Sequence, residues 1–209
     1  MKKLFLTTGL LSILSVPAMA EVKWFVGGGL GYETPVFSDL VDDLIDDHFY
    51  KDNSGALSFN LTGGMRFGEY NKIYNGGFSA TFSYMSDLGK LKEDYNNPYY
   101  MDVTLDFSTF YFTYDNYIRV SGDSKYRTDF VASIGLGMGW MSEDLQSGSY
   151  YESFEDDGML FVMKFGFVGE SKFDGFSWYA DLNFISLNAD DDADLQGSLG
   201  FDVGVKYTF

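Results

Sequence analysis

His48 is the single histidine, and a histidine beside a serine is the pair that acyl transfer to or from a lipid would use, imidazole as base and hydroxyl as nucleophile. No serine motif flanks it. Ser86 and Asp87 come later in the chain, with no spacing that joins them to His48 in a relay, so no catalytic residue is assigned and no enzyme is expected. Asp190, Asp192 and Asp194 alternate like the opening of a calcium loop. The match ends there, because Leu195 stands where a turn glycine is needed and Phe201 where a bidentate carboxylate would close the site. No metal or other cofactor is expected. The absence of cysteine removes disulfides, thiolate ligands, a thiol nucleophile and a lipid-bearing N-terminal cysteine. Fourteen Lys and Arg against 31 Asp and Glu give a net charge of −17, the wrong sign for binding nucleic acid.

A second group of chemically active residues sits inside strongly patterned segments. Arg66, Lys164 and Lys206, with Asp106, Asp181 and Asp202, fall at alternate positions between apolar residues. Such alternation puts successive side chains on opposite faces of a strand. Eight apolar faces follow the chain. They run from Trp24 to Tyr32, Leu57 to Phe67, Phe78 to Tyr84, and Val103 to Tyr111 with Thr113. The others run from Phe130 to Trp140, Met159 to Phe167, Phe176 to Phe184, and Leu199 to Phe209. No charged residue lies on any of them. The opposite faces carry Lys23, Arg66, Lys164 and Lys206 together with Asp102, Asp106, Asp129, Asp181 and Asp202, so the two signs nearly cancel.

That balance separates two architectures. A soluble sandwich turns its apolar faces inward and leaves the polar faces to water, where charge need not balance. A membrane barrel turns the apolar faces to lipid and must pair whatever charge its narrow interior encloses. The pattern therefore predicts an all-β, antiparallel, up-and-down transmembrane barrel of eight strands, and a secreted soluble β protein is the alternative. A lumen of eight strands is filled by side chains, so the six charged residues are expected to form a paired interior network. A narrow porin-like cation path is the competing reading.

Aromatic residues mark the two ends. Trp24, Phe67, Phe78, Phe130, Phe167, Phe176, Trp178, Tyr207 and Phe209 lie near one end of their segments, and Tyr32, Tyr84 and Trp140 near the other, as two interfacial girdles would. Connections mostly alternate between long (33–55, 87–100, 142–158, with a shorter 188–196) and short (69–76, 169–175, with a longer 114–126). The fourth apolar segment also carries Phe110, Phe112 and Tyr114 on its polar side, which asks for a bulge near Ser108 or for rings inside the barrel. The long segments hold 20 of the 31 carboxylates and three basic residues, Lys51, Lys90 and Lys92. In the first of them, Leu40, Val41, Leu44, Ile45 and Phe49 are spaced for a short amphipathic helix among aspartates.

Residues 1–20 stand apart. Lys2 and Lys3 precede an apolar stretch from Leu4 to Val16, and Ala18-Met19-Ala20 closes it with small residues, so 1–20 is expected to be a cleaved signal peptide and 21–209 the barrel domain. This leader, the Trp24–Tyr32 strand and its echo at Phe130–Gly137 resemble the small eight-stranded outer-membrane barrels of the OmpA, OmpX and opacity-protein kind. Phe201, Val203, Val205, Tyr207 and Phe209 resemble the terminal-strand signal read by the barrel assembly machinery of Gram-negative bacteria. The resemblance implies a cell outer-membrane location, long segments outside the cell and short turns in the periplasm. Unlike OmpA, it is expected to carry no peptidoglycan-binding domain after the barrel, so anchoring to the cell wall is not implied. Ser86 and Asp87 superficially resemble a Ser and Asp of the palmitoyl-transferring barrels, without their surroundings, which leaves a lipid A-modifying enzyme a weak alternative. The expected role is a monomeric surface protein with acidic loops, adhesin-like or serving envelope integrity. Its expected partners are outer-membrane lipid and lipopolysaccharide, bridged through divalent cations.

Overall fold

Alternating apolar residues without a helical period leave the backbone one way to satisfy its N–H and C=O groups inside hydrocarbon, which is to pair strand with strand until the sheet closes. The computed structural model describes residues 21–37, 49–52, 55–86, 90–93, 102–123, 125–147, 150–188 and 195–209. Among the described residues ten strands run in order: β1 (Val22–Phe37), β2 (Phe49–Asp52), β3 (Ala56–Phe67), β4 (Tyr74–Met85), β5 (Lys90–Glu93), β6 (Asp102–Gly122), β7 (Tyr126–Ser147), β8 (Tyr150–Ser171), β9 (Phe176–Asn188) and β10 (Leu195–Thr208). Eight form an antiparallel ring, β6-β4-β3-β1-β10-β9-β8-β7, closed by β6 against β7. The two short strands pair with each other and extend the ring at one end through β5 and β6.

The apolar faces point outward. Leu30, Leu61, Leu136 and Leu182 are all more than half exposed, while Asn60, Asp129, Asn183 and Asp202 on the opposite face are buried. In water this surface would be untenable; against acyl chains it is the favourable arrangement.

Four expectations about the wall are corrected. β6 faces the other way from its predicted register: Phe107, Thr109, Tyr111 and Thr113 point into the barrel and are buried, and Phe110 and Phe112 are exposed on the outside. No bulge occurs near Ser108, since pairing with β4 and β7 runs unbroken there and slips between Arg119 and Ser121. Residues 142–158 are not a loop, because β7 and β8 stay paired up to Ser147↔Tyr150. The supposedly long connection 114–126 is mostly strand. Its tight turn is built on Asp123, whose Oδ1 accepts from the N–H groups of Lys125 and Tyr126 at 2.7 and 2.9 Å. The Asp123 N–H donates to Tyr126 C=O at 2.8 Å.

The turn joining β8 to β9 uses Gly175 at φ +72°, a left-handed conformation that a side chain disfavours. The expected helix at Leu40–Phe49 lies outside the described residues except for Phe49, which opens β2. His48, Asp87, Asp190, Asp192 and Asp194 also lie outside them.

Candidate functional site

Each inward-facing side chain is placed by strand parity, and the lumen is sorted into layers. At the turn end, Arg66 of β3 crosses to β7 and β8, donating from Nη2 to Asp129 Oδ2 at 2.6 Å and from Nη1 to Glu170 Oε2 at 2.9 Å. Its guanidinium lies 4.4 Å from the centre of the Tyr117 ring. Arg127 Nε donates to the other oxygen of Asp129 at 2.6 Å, and its Nη1 donates to the Tyr70 carbonyl in the β3–β4 turn. Tyr70 folds across this mouth with the ammonium groups of Lys23 and Lys172 each 5.8 Å from its ring centre. One carboxylate between two guanidiniums, each holding further acceptors, is the kind of pairing a buried charge requires.

The middle layer is polar. Lys164 Nζ is 4.0 Å from Asp202 Oδ2 and 5.4 Å from the Tyr111 ring. Asn183 donates to both Asp202 and Glu33, Ser198 donates to Glu33 at 3.1 Å, and Tyr179 Oη donates to Asn60 at 2.5 Å. Lys206 Nζ sits between the rings of Tyr179 and Phe25, at 4.7 and 5.0 Å. Asp181 and Asp115 line a void of about 20 Å³ with Lys164 and Lys206, room for about one water.

At the loop end the lumen turns apolar. Met85, Phe107, Tyr111, Met141, Leu160, Val162, Ile185 and Leu187 pack together as a buried cluster. A second void, beside Arg66 and Lys206, is also about 20 Å³. Each of these two voids has room for about one water, in keeping with an eight-stranded lumen that side chains fill.

Of the six residues assigned to an interior network, Arg66, Lys164, Asp181, Asp202 and Lys206 face the lumen, and Lys164 meets Asp202 directly. Asp106 does not join them. It stands on the outer surface of β6 and accepts from the Tyr84 hydroxyl at 3.1 Å, a consequence of the inverted face of that strand. The remaining lumen charges, Glu33, Asp115, Arg127 and Glu170, escaped the sequence reading because Glu33, Asp115 and Glu170 fell in connections and Arg127 preceded its apolar stretch; each continues the inward parity of a strand that is longer than that stretch. Phe201, Val203, Val205 and Tyr207 lie outward on β10, and Phe209 follows its end.

Outside the ring, β6, β7 and β8 rise far above the girdle residues Tyr84 and Trp140. β8 spans 22 residues, about 70 Å at roughly 3.3 Å per residue, against a hydrocarbon core of about 30 Å. The protruding part carries Asp144, Glu155 and Asp157. Tyr151 Oη donates to Asp144 Oδ1 at 2.8 Å, and that carboxylate pushes the Tyr151 hydroxyl pKa up.

No protein-family model matches the chain, and no curated protein matches it in sequence. Several solved structures do resemble it. Ail, the attachment invasion locus protein of Yersinia pestis, in complex with the heparin analogue sucrose octasulfate, superposes with a TM-score of 0.52 at 15% identity, over 90% of this chain and 99% of that one. Neisserial surface protein A gives 0.49 at 11% identity with the same coverage. A major outer membrane protein from Thermus thermophilus gives 0.49 at 9% identity, again over 90% and 99%. At such identity the likeness speaks for the fold. Together with the lipid-facing exterior and the ring closed by β6 and β7, it makes this chain an eight-stranded β-barrel of the outer-membrane kind.

Proposed function

We propose that this barrel is a non-enzymatic, non-conducting surface protein of the outer membrane, whose protruding acidic sheet engages cationic partners in an adhesin-like or envelope-stabilising role. The observation that carries the reading is the β7–β8 hairpin. Unlike a loop, a paired hairpin holds its carboxylates at fixed spacing without paying for their ordering on binding. Its outer row pairs Ser142 with Glu155 and Asp144 with Ser153, and the adjoining long segments add further acid.

Ail was solved with a polysulfated ligand. The acidic rim of the present chain would repel such a polyanion, so basic protein segments, or divalent cations that bridge to lipopolysaccharide phosphates, suit it better. Delivery to the membrane would depend on the Phe201–Phe209 signal and the barrel assembly machinery. The decisive experiment compares whole cells displaying the wild-type protein with cells displaying Asp144→Asn/Glu155→Gln/Asp157→Asn. Wild-type cells are expected to bind a surface coated with a basic peptide more strongly at low salt, and the triple variant to lose most of that excess. Equal binding by both would refute the role of the hairpin.

A further inference from the structure

The outer surface at the turn end is not uniformly convex. One row across four strands reads Thr128, Gly169, Trp178 and Val205, paired in that order. Gly169 has no side chain, and the Trp178 ring lies across it so closely that a Cβ there would collide with Cε2. The next row begins with Tyr126 opposite Ser171. Between Tyr126 and Trp178 runs a mainly apolar cleft of about 350 Å³ that also borders Phe176, within the roughly 300–1,000 Å³ usual for ligand pockets.

The cleft lies on the lipid-facing side, at the level of the girdle nearer the termini. Its lower end shares Glu170, Ser171 and Asp174 with a second, more polar cleft of about 390 Å³ at the barrel rim, which Glu21, Lys23 and Lys172 also line. Lys172 is tied to Lys125, whose carbonyl accepts its backbone N–H at 3.0 Å. Asp174 Oδ1 accepts from the Phe176 N–H at 3.1 Å, and a carboxylate has further acceptor positions on its second oxygen. An apolar slot therefore opens onto a rim that offers two lysines among three carboxylates, Glu21, Glu170 and Asp174.

We propose that this paired cleft binds one glycerophospholipid of the periplasmic leaflet with a zwitterionic, ethanolamine-type head group. One acyl chain lies between Tyr126 and Trp178, the ammonium meets Asp174, and the phosphate draws the Lys172 ammonium away from the Tyr70 ring. An anionic head group would gain the phosphate contact and be repelled at Asp174, so charge complementarity selects the zwitterion. This site is independent of the acidic wall at the opposite end of the barrel and stands or falls separately from it.

The test uses the full chain folded in mixed micelles with equal amounts of phosphatidylethanolamine and phosphatidylglycerol of identical acyl chains. Lipid retained by the protein is counted by native mass spectrometry. One ethanolamine lipid is expected to be retained over the glycerol lipid by roughly threefold, the scale of a single exposed ion pair. Thr128→Trp fills the slot and is expected to abolish retention of either lipid. Asp174→Lys is expected to reverse the preference, which keeps the proposal testable if the tryptophan variant fails to fold. Equal retention of both lipids by the wild type, or wild-type selectivity in either folded variant, overturns it.

Discussion

Arg66 Nη2 stands 2.6 Å from Asp129 Oδ2, a bond that crosses the lumen from β3 to β7 and so braces two strands separated by β4 and β6 in the wall. Asp129 is fully buried, and the same carboxylate also takes Arg127. Removing Arg66 leaves Asp129 and Glu170 short of compensating charge in a site water hardly reaches. Arg66→Leu is therefore expected to destabilise the folded barrel by about 3–5 kcal/mol, and Arg66→Lys by less. Urea unfolding in detergent, followed by the gel shift between folded and boiled protein, measures both.

The apolar plug at the loop end predicts an electrically silent protein. Refolded wild type in a planar bilayer is expected to show no stable unitary conductance. Phe107→Ala/Tyr111→Ala/Met141→Ala would open the outer half of the lumen, yet the Arg66–Asp129–Glu170 layer below remains, so conductance is expected to stay at baseline. Stable steps in the wild type would contradict the filled interior.

The inverted face of β6 gives a sharp test. Phe112 is 60% exposed on the outside and lies midway along the membrane-spanning stretch of its strand. Phe112→Arg is expected to cost about 2–4 kcal/mol, as an arginine facing mid-bilayer does. Phe112→Leu should be nearly neutral, and reversible unfolding from lipid vesicles reads the difference.

The β6–β7 turn responds to acid. Two backbone N–H donors hold the Asp123 carboxyl below its ordinary pKa of 3.8. A carboxyl whose folded pKa is depressed stabilises the fold above its unfolded pKa, and that contribution is lost as pH falls through the folded value. Amide protection at Lys125 and Tyr126 is therefore expected to hold at neutral pH and to fall away in strong acid, below the ordinary carboxyl range. In Asp123→Ala it should be low at every pH, a contrast that hydrogen exchange by NMR would resolve.

Gly175 sits at φ +72° in the β8–β9 turn. Gly175→Ala is expected to cost about 1–2 kcal/mol and Gly175→Asn less, since asparagine tolerates the left-handed region better. Thermal unfolding in the same detergent compares the two.

The outward rows of most strands were readable in the sequence because lipid forbids charge and the interior collects it: Leu30, Leu61, Leu136 and Val203 stand where the alternation places them. β6 was not readable in this way. It has Phe107 and Tyr111 on one parity and Phe110 and Phe112 on the other, so neither face is marked by polarity. What fixes its orientation is pairing, with Phe110 opposite Phe82 and Met138, both lipid-facing. Asp106 was misplaced for the same reason. Glu33, Asp115, Arg127 and Glu170 lie where the apolar stripe has stopped but the hydrogen-bonded ladder has not, and sequence polarity there looks the same as a loop. The acid-rich β7–β8 extension is the extreme case, since beyond the membrane no apolar face is needed to keep two strands paired.

That extension leaves one margin of sheet unclaimed. β9 joins β8 from Met159 onward, and among the described residues no strand lies beside Tyr150–Gly158 on that flank. Exposed backbone of this sort invites a neighbouring copy to zip on. Here two such copies would bring Glu155 and Asp157 of each against the other's, and like charges at close quarters repel. Crowded side by side in the same bilayer, these molecules would stay strangers, each keeping its open seam for something of opposite sign.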